Sequence, residues 1–123
     1  MRGVGRSRAA SPREVAAGVR RALQIHPGAA AEMEAAAAFL DERTAGAGND
    51  FIVAVGATMR NARRRPQIGS LVMAHRSKVE IRRMRVRPND YQVVYAVYAD
   101  HVLVVAVAHN KRKPLYWLDR VAE

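Results

Sequence analysis

The sequence predicts an α+β fold: a short strand, a helical hairpin, then three antiparallel strands that curl into a small sheet, in the order β-α-α-β-β-β. Three observations predict it. Residues 79–113 hold three strand-like runs separated by tight polar turns. Residues 29–62 carry apolar side chains at helical spacing on both sides of a Gly-rich break. A chain of 123 residues, 50% of them apolar, has material for one core.

Residues 1–11 carry Arg2, Arg6 and Arg8 among Gly and Ser with no apolar period, and read as a disordered basic arm. Ser11-Pro12-Arg13-Glu14 has the form of a helix start, with Ser as N-cap and Pro in the first turn. Val15, Val19 and Ala22 give that helix a weak apolar stripe. Residues 1–22 are thus a basic N-terminal extension, disordered or helical, ahead of a domain spanning 23–123. Leu23-Gln24-Ile25-His26 alternates and stops at Pro27, as a first strand would.

The hairpin begins with an Ala-rich helix over 29–43, in which Met33, Ala36, Ala37 and Leu40 share a stripe with Phe39 beside them. Glu32 and Glu34 in its early turns and Arg43 near its end suit the helix dipole. Thr44-Ala45-Gly46-Ala47-Gly48 breaks it. Asn49 or Asp50 caps a second helix striped by Ile52, Val55, Met59 and Ala62, with Gly56 marking close packing against the first. Arg60, Arg63, Arg64 and Arg65 crowd its end, and Pro66 stops it.

A short strand is expected at 71–73. The first clear sheet strand covers 79–87, with Met84 and Val86 on one face and Ile81, Arg83, Arg85 and Arg87 on the other. Pro88-Asn89-Asp90 turns the chain. Residues 91–99 alternate as a second strand. Residues 102–108 are continuously apolar, as in a central strand covered on both faces. Lys111-Arg112-Lys113-Pro114 ends that strand, and 115–121 reads as a short terminal helix.

The formal charge is +10, a field that attracts nucleic acid, anionic membrane or an acidic protein. There is no cysteine, which removes disulfides and thiolate metal sites. His26, His75 and His101 show no ligand spacing, so neither a metal nor a cofactor is expected. No apolar stretch follows the N-terminal arginines, and the run at 102–108 is too short to span a bilayer, so the expected location is the cytoplasm, away from membrane.

The element order and several local motifs resemble the RelE/ParE superfamily of toxins from type II toxin–antitoxin modules. The first strand ends in Pro before an Ala/Glu-rich helix (Ile25-His26-Pro27-Gly28-Ala29-Ala30-Ala31-Glu32). The hairpin turn reads Gly46-Ala47-Gly48-Asn49-Asp50-Phe51. An aromatic leads the strand Tyr91-Gln92-Val93-Val94-Tyr95, and Ala106-Val107-Ala108-His109-Asn110-Lys111-Arg112-Lys113 precedes Tyr116-Trp117. The resemblance covers about 23–120. It implies a twisted, mostly antiparallel sheet with both helices on one face, a plasmid-stabilisation type of toxin that inhibits growth, and a cognate antitoxin that holds it inactive. It implies two routes: a ParE-like one that binds DNA gyrase, and a RelE-like one that cleaves mRNA on the ribosome.

Metal-free RNA cleavage needs a base, an acid and cations around the phosphate. The resemblance puts Arg112 and Tyr116 in those roles, with His109 a further candidate, for the nuclease route only. Arg83, Arg85, Arg87, Lys111, Arg112 and Lys113 are the candidate residues for binding a target or RNA. Like charges two residues apart on one sheet face repel, which an anionic partner would relieve. Gln92 departs from catalytic RelE-like members, which have arginine after the leading aromatic; the departure favours the ParE-like route. A non-toxic basic nucleic-acid-binding module is the reading outside the toxin class.

Overall fold

The computed structural model describes residues 8–17, 20–72 and 79–121. The arm before Arg8, Val19, Met73 and His75 lie outside the described residues. The chain runs α1 (Pro12–Ala17), β1 (Ala22–Ile25), α2 (Pro27–Arg43), α3 (Ala47–Arg64), a 3-10 turn (Pro66–Ile68), β2 (Ser70–Leu71), β3 (Glu80–Val86), β4 (Tyr91–Val97), β5 (His101–His109) and a second 3-10 turn (Leu118–Arg120).

The strands form one open sheet in the order β1-β5-β4-β3-β2. It is mixed: β1 lies parallel to β5, and every other pair is antiparallel. The helical hairpin carries the chain from β1 at one edge of the sheet to β2 at the other, and three antiparallel steps bring β5 back beside β1 in the same direction. Phe51, Val55, Met59 and Ala62 of α3 and Ala29 and Ala36 of α2 bury against Val86, Val93, Tyr95, Val97, Val102, Val104 and Val107 of the sheet. Both helices therefore sit on one face, as the sequence predicts. The opposite face carries a second cluster of Ile81, Val94, Ala96, Val105 and Ala106, covered by Trp117 and Val121. The predicted terminal helix is reduced to the single turn Leu118–Arg120.

Strand β5 is not regular. Val94 pairs with Ala106 but Tyr95 pairs with Val104, so Val105 is an extra residue. Val102, Val104 and Val107 consequently share the helix side, while Val105 and Ala106 both face away.

Two local expectations are corrected in the hairpin. Helix α3 starts at Ala47, ahead of Asn49 and Asp50, with Gly46 as N-cap at φ 89°. A glycine cap offers no side-chain acceptor. Asp41, near the end of α2, supplies one: its Oδ1 accepts the N–H groups of Gly46 and Gly48, both at 3.0 Å. The glycine that brings the helices together is Gly48, where an added Cβ would lie 2.5 Å from the Ala37 carbonyl oxygen. At Gly56 an added Cβ would meet only the tip of Arg60, at 3.5 Å.

The upstream extension takes part in packing. Ala9 bridges to Tyr98, Ala99 N–H donates to Arg8 O at 2.9 Å, and Val15 is buried in the helix-side core. Ser11 and Glu14 form a reciprocal capping box: Ser11 Oγ accepts the Glu14 N–H at 3.2 Å, and Glu14 Oε1 accepts the Ser11 N–H at 2.9 Å. Arg8 adds a 2.7 Å ion pair. The hydrogen bonds from Arg8 and Ser11 hold the Glu14 carboxyl down at about 2, against an ordinary 4.5. A depressed carboxyl stabilises fully above its ordinary value, and that contribution is lost as pH falls through the folded one. The amides of α1 are thus expected to lose exchange protection between pH 4.5 and about 2, ahead of those in β4 and β5. Protection in α1 that stays level down to pH 2 would contradict the capping box.

Candidate functional site

The alternation of β3 divides its arginines by role. Arg82 points to the helix side of the strand and is spent on structure: it pairs with Glu80 and donates to the carbonyls of Gln67 (3.2 Å) and Gly69 (2.6 Å). Arg83 and Arg85 lie on the other face, exposed, opposite Val94 and Gln92 of β4. Their spacing along the strand is about 6.8 Å. Arg87 follows in the turn. None of the three makes an ion pair among the described residues.

These side chains line an open groove of about 590 Å³ whose other polar walls are Ser70, Gln92 and Asn110. A smaller cavity of about 100 Å³ adjoins it, formed where the turn after β5 folds over the sheet, and holds His109, Arg112, Lys113 and Tyr116. Arg83 and Gln92 line both. No carboxylate lines either cavity among the described residues. Of the residues singled out from sequence, Arg83, Arg85, Arg87, Arg112 and Lys113 thus share one basic rim. Lys111 lines neither cavity; it is exposed in the turn, where its backbone N–H donates to His109 Nδ1 at 3.1 Å.

The three candidates for nuclease chemistry lie near one another, and His109 and Tyr116 each make a hydrogen bond within the fold. His109 has one ring nitrogen engaged by that turn and its ring edge-on to Tyr91, with centroids 5.1 Å apart. Tyr116 donates its hydroxyl to Glu32 Oε2 at 2.9 Å. Burial, reinforced by that carboxylate, pushes the Tyr116 phenol up to about 12. A phenol acting as a base near neutral pH needs the opposite shift. Arg112 does lie with Tyr116, its Cζ 3.9 Å from the ring centroid.

Two residues at the site were not singled out from sequence. Glu32 of α2 takes a bidentate pair from Arg120 (3.1 and 2.9 Å) and the backbone N–H of Val107 at 3.0 Å, besides Tyr116. Glu32 reads in sequence as a dipole-matched helix residue. Its partners Tyr116 and Arg120 lie 84 and 88 positions away, and no short-range pattern records such a pairing.

A mixed sheet thus carries a helical hairpin on one face and, on the other, an arginine-lined groove with no carboxylate in its walls among the described residues. The family model described as the ParE toxin of the type II toxin–antitoxin system parDE matches residues 23–114, and the chain belongs to that family. Its fold is similar to a solved chain of the chromosomal ParDE toxin–antitoxin system from P. aeruginosa, with a TM-score of 0.62 and 10% identity over 73% of this chain and 96% of that chain. No curated protein matches the chain. Family membership makes this chain the toxin component of such a module and gives it an antitoxin protein as partner. No helix among the described residues is long and apolar enough to cross a membrane.

Proposed function

We propose that this toxin acts in the cytoplasm by binding a protein target, DNA gyrase, through the rim of Arg83, Arg85, Arg87, Arg112 and Lys113, with its cognate antitoxin blocking that contact. The observation that carries the reading is a groove lined by Arg83, Arg85 and Arg87, none of which makes an ion pair among the described residues. His109 is engaged in a turn, Tyr116 donates its proton to Glu32, and Gln92 lines both cavities. Such a surface supports recognition of an acidic segment and rapid, salt-sensitive encounter.

The nuclease reading draws support from one arrangement, Arg112 stacked on Tyr116 beside Arg83 in the smaller cavity. Purified toxin presented separately with gyrase and with ribosomes carrying mRNA decides between them. Loss of supercoiling activity with intact mRNA is expected. mRNA fragments ending in 2′,3′-cyclic phosphate, with gyrase unaffected, would overturn the proposal in favour of the nuclease.

A further inference from the structure

Strand β1 stops before Pro27 while β5 continues to His109, so among the described residues the β5 edge beyond Val104 has no strand beside it. Two side chains take the strand's place. Glu32 Oε1 accepts the Val107 N–H, and Arg120 Nη1 donates to Val105 O at 3.1 Å. The same two groups pair with each other through both guanidinium nitrogens. Their side chains are only 20% (Arg120) and 15% (Glu32) exposed. Ions this sheltered are retained where hydrogen bonds compensate them, and here Glu32 accepts four and Arg120 donates three. Gly28 makes the room: a Cβ there would lie 2.6 Å from Arg120 Cζ.

The clasp continues outward into the rim. Tyr116 donates to Glu32 Oε2, Arg112 lies over the Tyr116 ring, and Arg112 Nη1 is 4.0 Å from the same carboxylate oxygen. Arg112 belongs to a solvent-exposed turn and has little else to restrict it. Leu115, between Arg112 and the clasp, holds φ 62°, a left-handed conformation that a bulky residue keeps only when its surroundings impose it.

We propose that Glu32 and Arg120 are positioning residues for the basic rim: their clasp on the β5 edge holds Tyr116 in place, and Tyr116 fixes Arg112 beside Arg83. The inference rests on the reading of the rim as the target-binding surface. An arginine fixed in its bound geometry avoids the ordering cost that a free one pays on association. Lysine at position 120 would not substitute, because it cannot reach both carboxylate oxygens and a carbonyl with one planar fork.

Growth inhibition on induced expression, titrated by inducer, tests this with Arg112→Gln, Arg120→Gln and the double variant. Each single change is expected to raise the dose for half-maximal inhibition about tenfold, the factor that corresponds to 1.4 kcal/mol. The double is expected to match Arg112→Gln alone, because a positioning residue has nothing left to position. Should the two effects multiply, or should Arg120→Gln act as wild type while Arg112→Gln weakens, the positioning role is overturned and the rim survives. Should Arg112→Gln itself be without effect, the rim assignment of Arg112 fails instead. If Arg120→Gln does not fold, Gly28→Ala displaces the guanidinium without removing it and takes its place in the cycle. Trp117, the chain's one tryptophan, is buried under this segment and reports through its fluorescence quenching whether the segment stays docked.

Discussion

Replacing Arg83, Arg85 and Arg112 together with glutamine is expected to abolish growth inhibition and leave the fold intact. Arg83 and Arg85 are exposed on a strand face and unpaired among the described residues, and Arg112 is half exposed. Surface changes of this kind usually move stability by no more than about 0.5 kcal/mol each. Removing like charges two residues apart on one sheet face also relieves repulsion. Binding responds differently. Each rim guanidinium that meets a carboxylate in the complex is worth roughly 1.4 kcal/mol, or tenfold, so three together remove on the order of a thousandfold. The check is induced expression in parallel with circular dichroism and thermal unfolding of the purified variant. Full toxicity in a folded triple variant would mean that the target contacts another surface.

The largest single-site loss of stability is expected for Gly69→Ala. The backbone there, φ −68° and ψ 153°, is open to any residue, so the cost comes from space alone. A Cβ at Gly69 would lie 2.1 Å from the Tyr95 hydroxyl oxygen and 2.8 Å from Arg83 O. Tyr95 is fully buried, donates to Pro66 O at 2.6 Å and accepts the Gly69 N–H at 3.2 Å. The loop cannot lift away without breaking both bonds. Overpacking of this kind costs about 1–3 kcal/mol, and each lost hydrogen bond adds about 1 kcal/mol. Thermal unfolding is expected to shift down by roughly 5–15 °C. Tyr95→Phe removes the nearest obstructing atom, so the double variant should lose less than the sum of the singles. Strict additivity would show that the clash is relieved elsewhere. The same substitution pushes on the β3 backbone at Arg83, and reduced growth inhibition should accompany the lower stability.

How much of this was legible in the sequence depended on how each element meets its neighbours. The two faces of β3 could be read because its second half is buried on one face and exposed on the other, so Met84 and Val86 contrast with Arg83 and Arg85. Strand β5 is covered on both faces, and its uniform valine and alanine conceal the extra residue at Val105. The parallel direction of β1 leaves no mark on four residues. Close packing of the helices was read at Gly56, inside the helical pattern, when it occurs at Gly48, where the needed gap is set by a carbonyl of the other helix. The basic rim was legible as a row of charges. The groove beside it depends on where the 3-10 turn after α3 lands, and that is set by Tyr95, 29 residues from its acceptor Pro66. The division at 22/23 marks a change in composition, while packing continues across it through Val15.

The inserted Val105 has a consequence for parity. Downstream of it odd-numbered β5 residues face the helices; upstream, even-numbered ones do. Were the strand instead to run straight through that valine with unbroken alternation, its last stretch would invert, turning Val107 outward and driving Ala108 inward. The backbone N–H that greets Glu32 would then belong to a different residue, and the basic turn beyond would leave from the wrong side of the sheet. The irregularity that absorbs one surplus residue thus decides on which side of the molecule the positive charge is displayed.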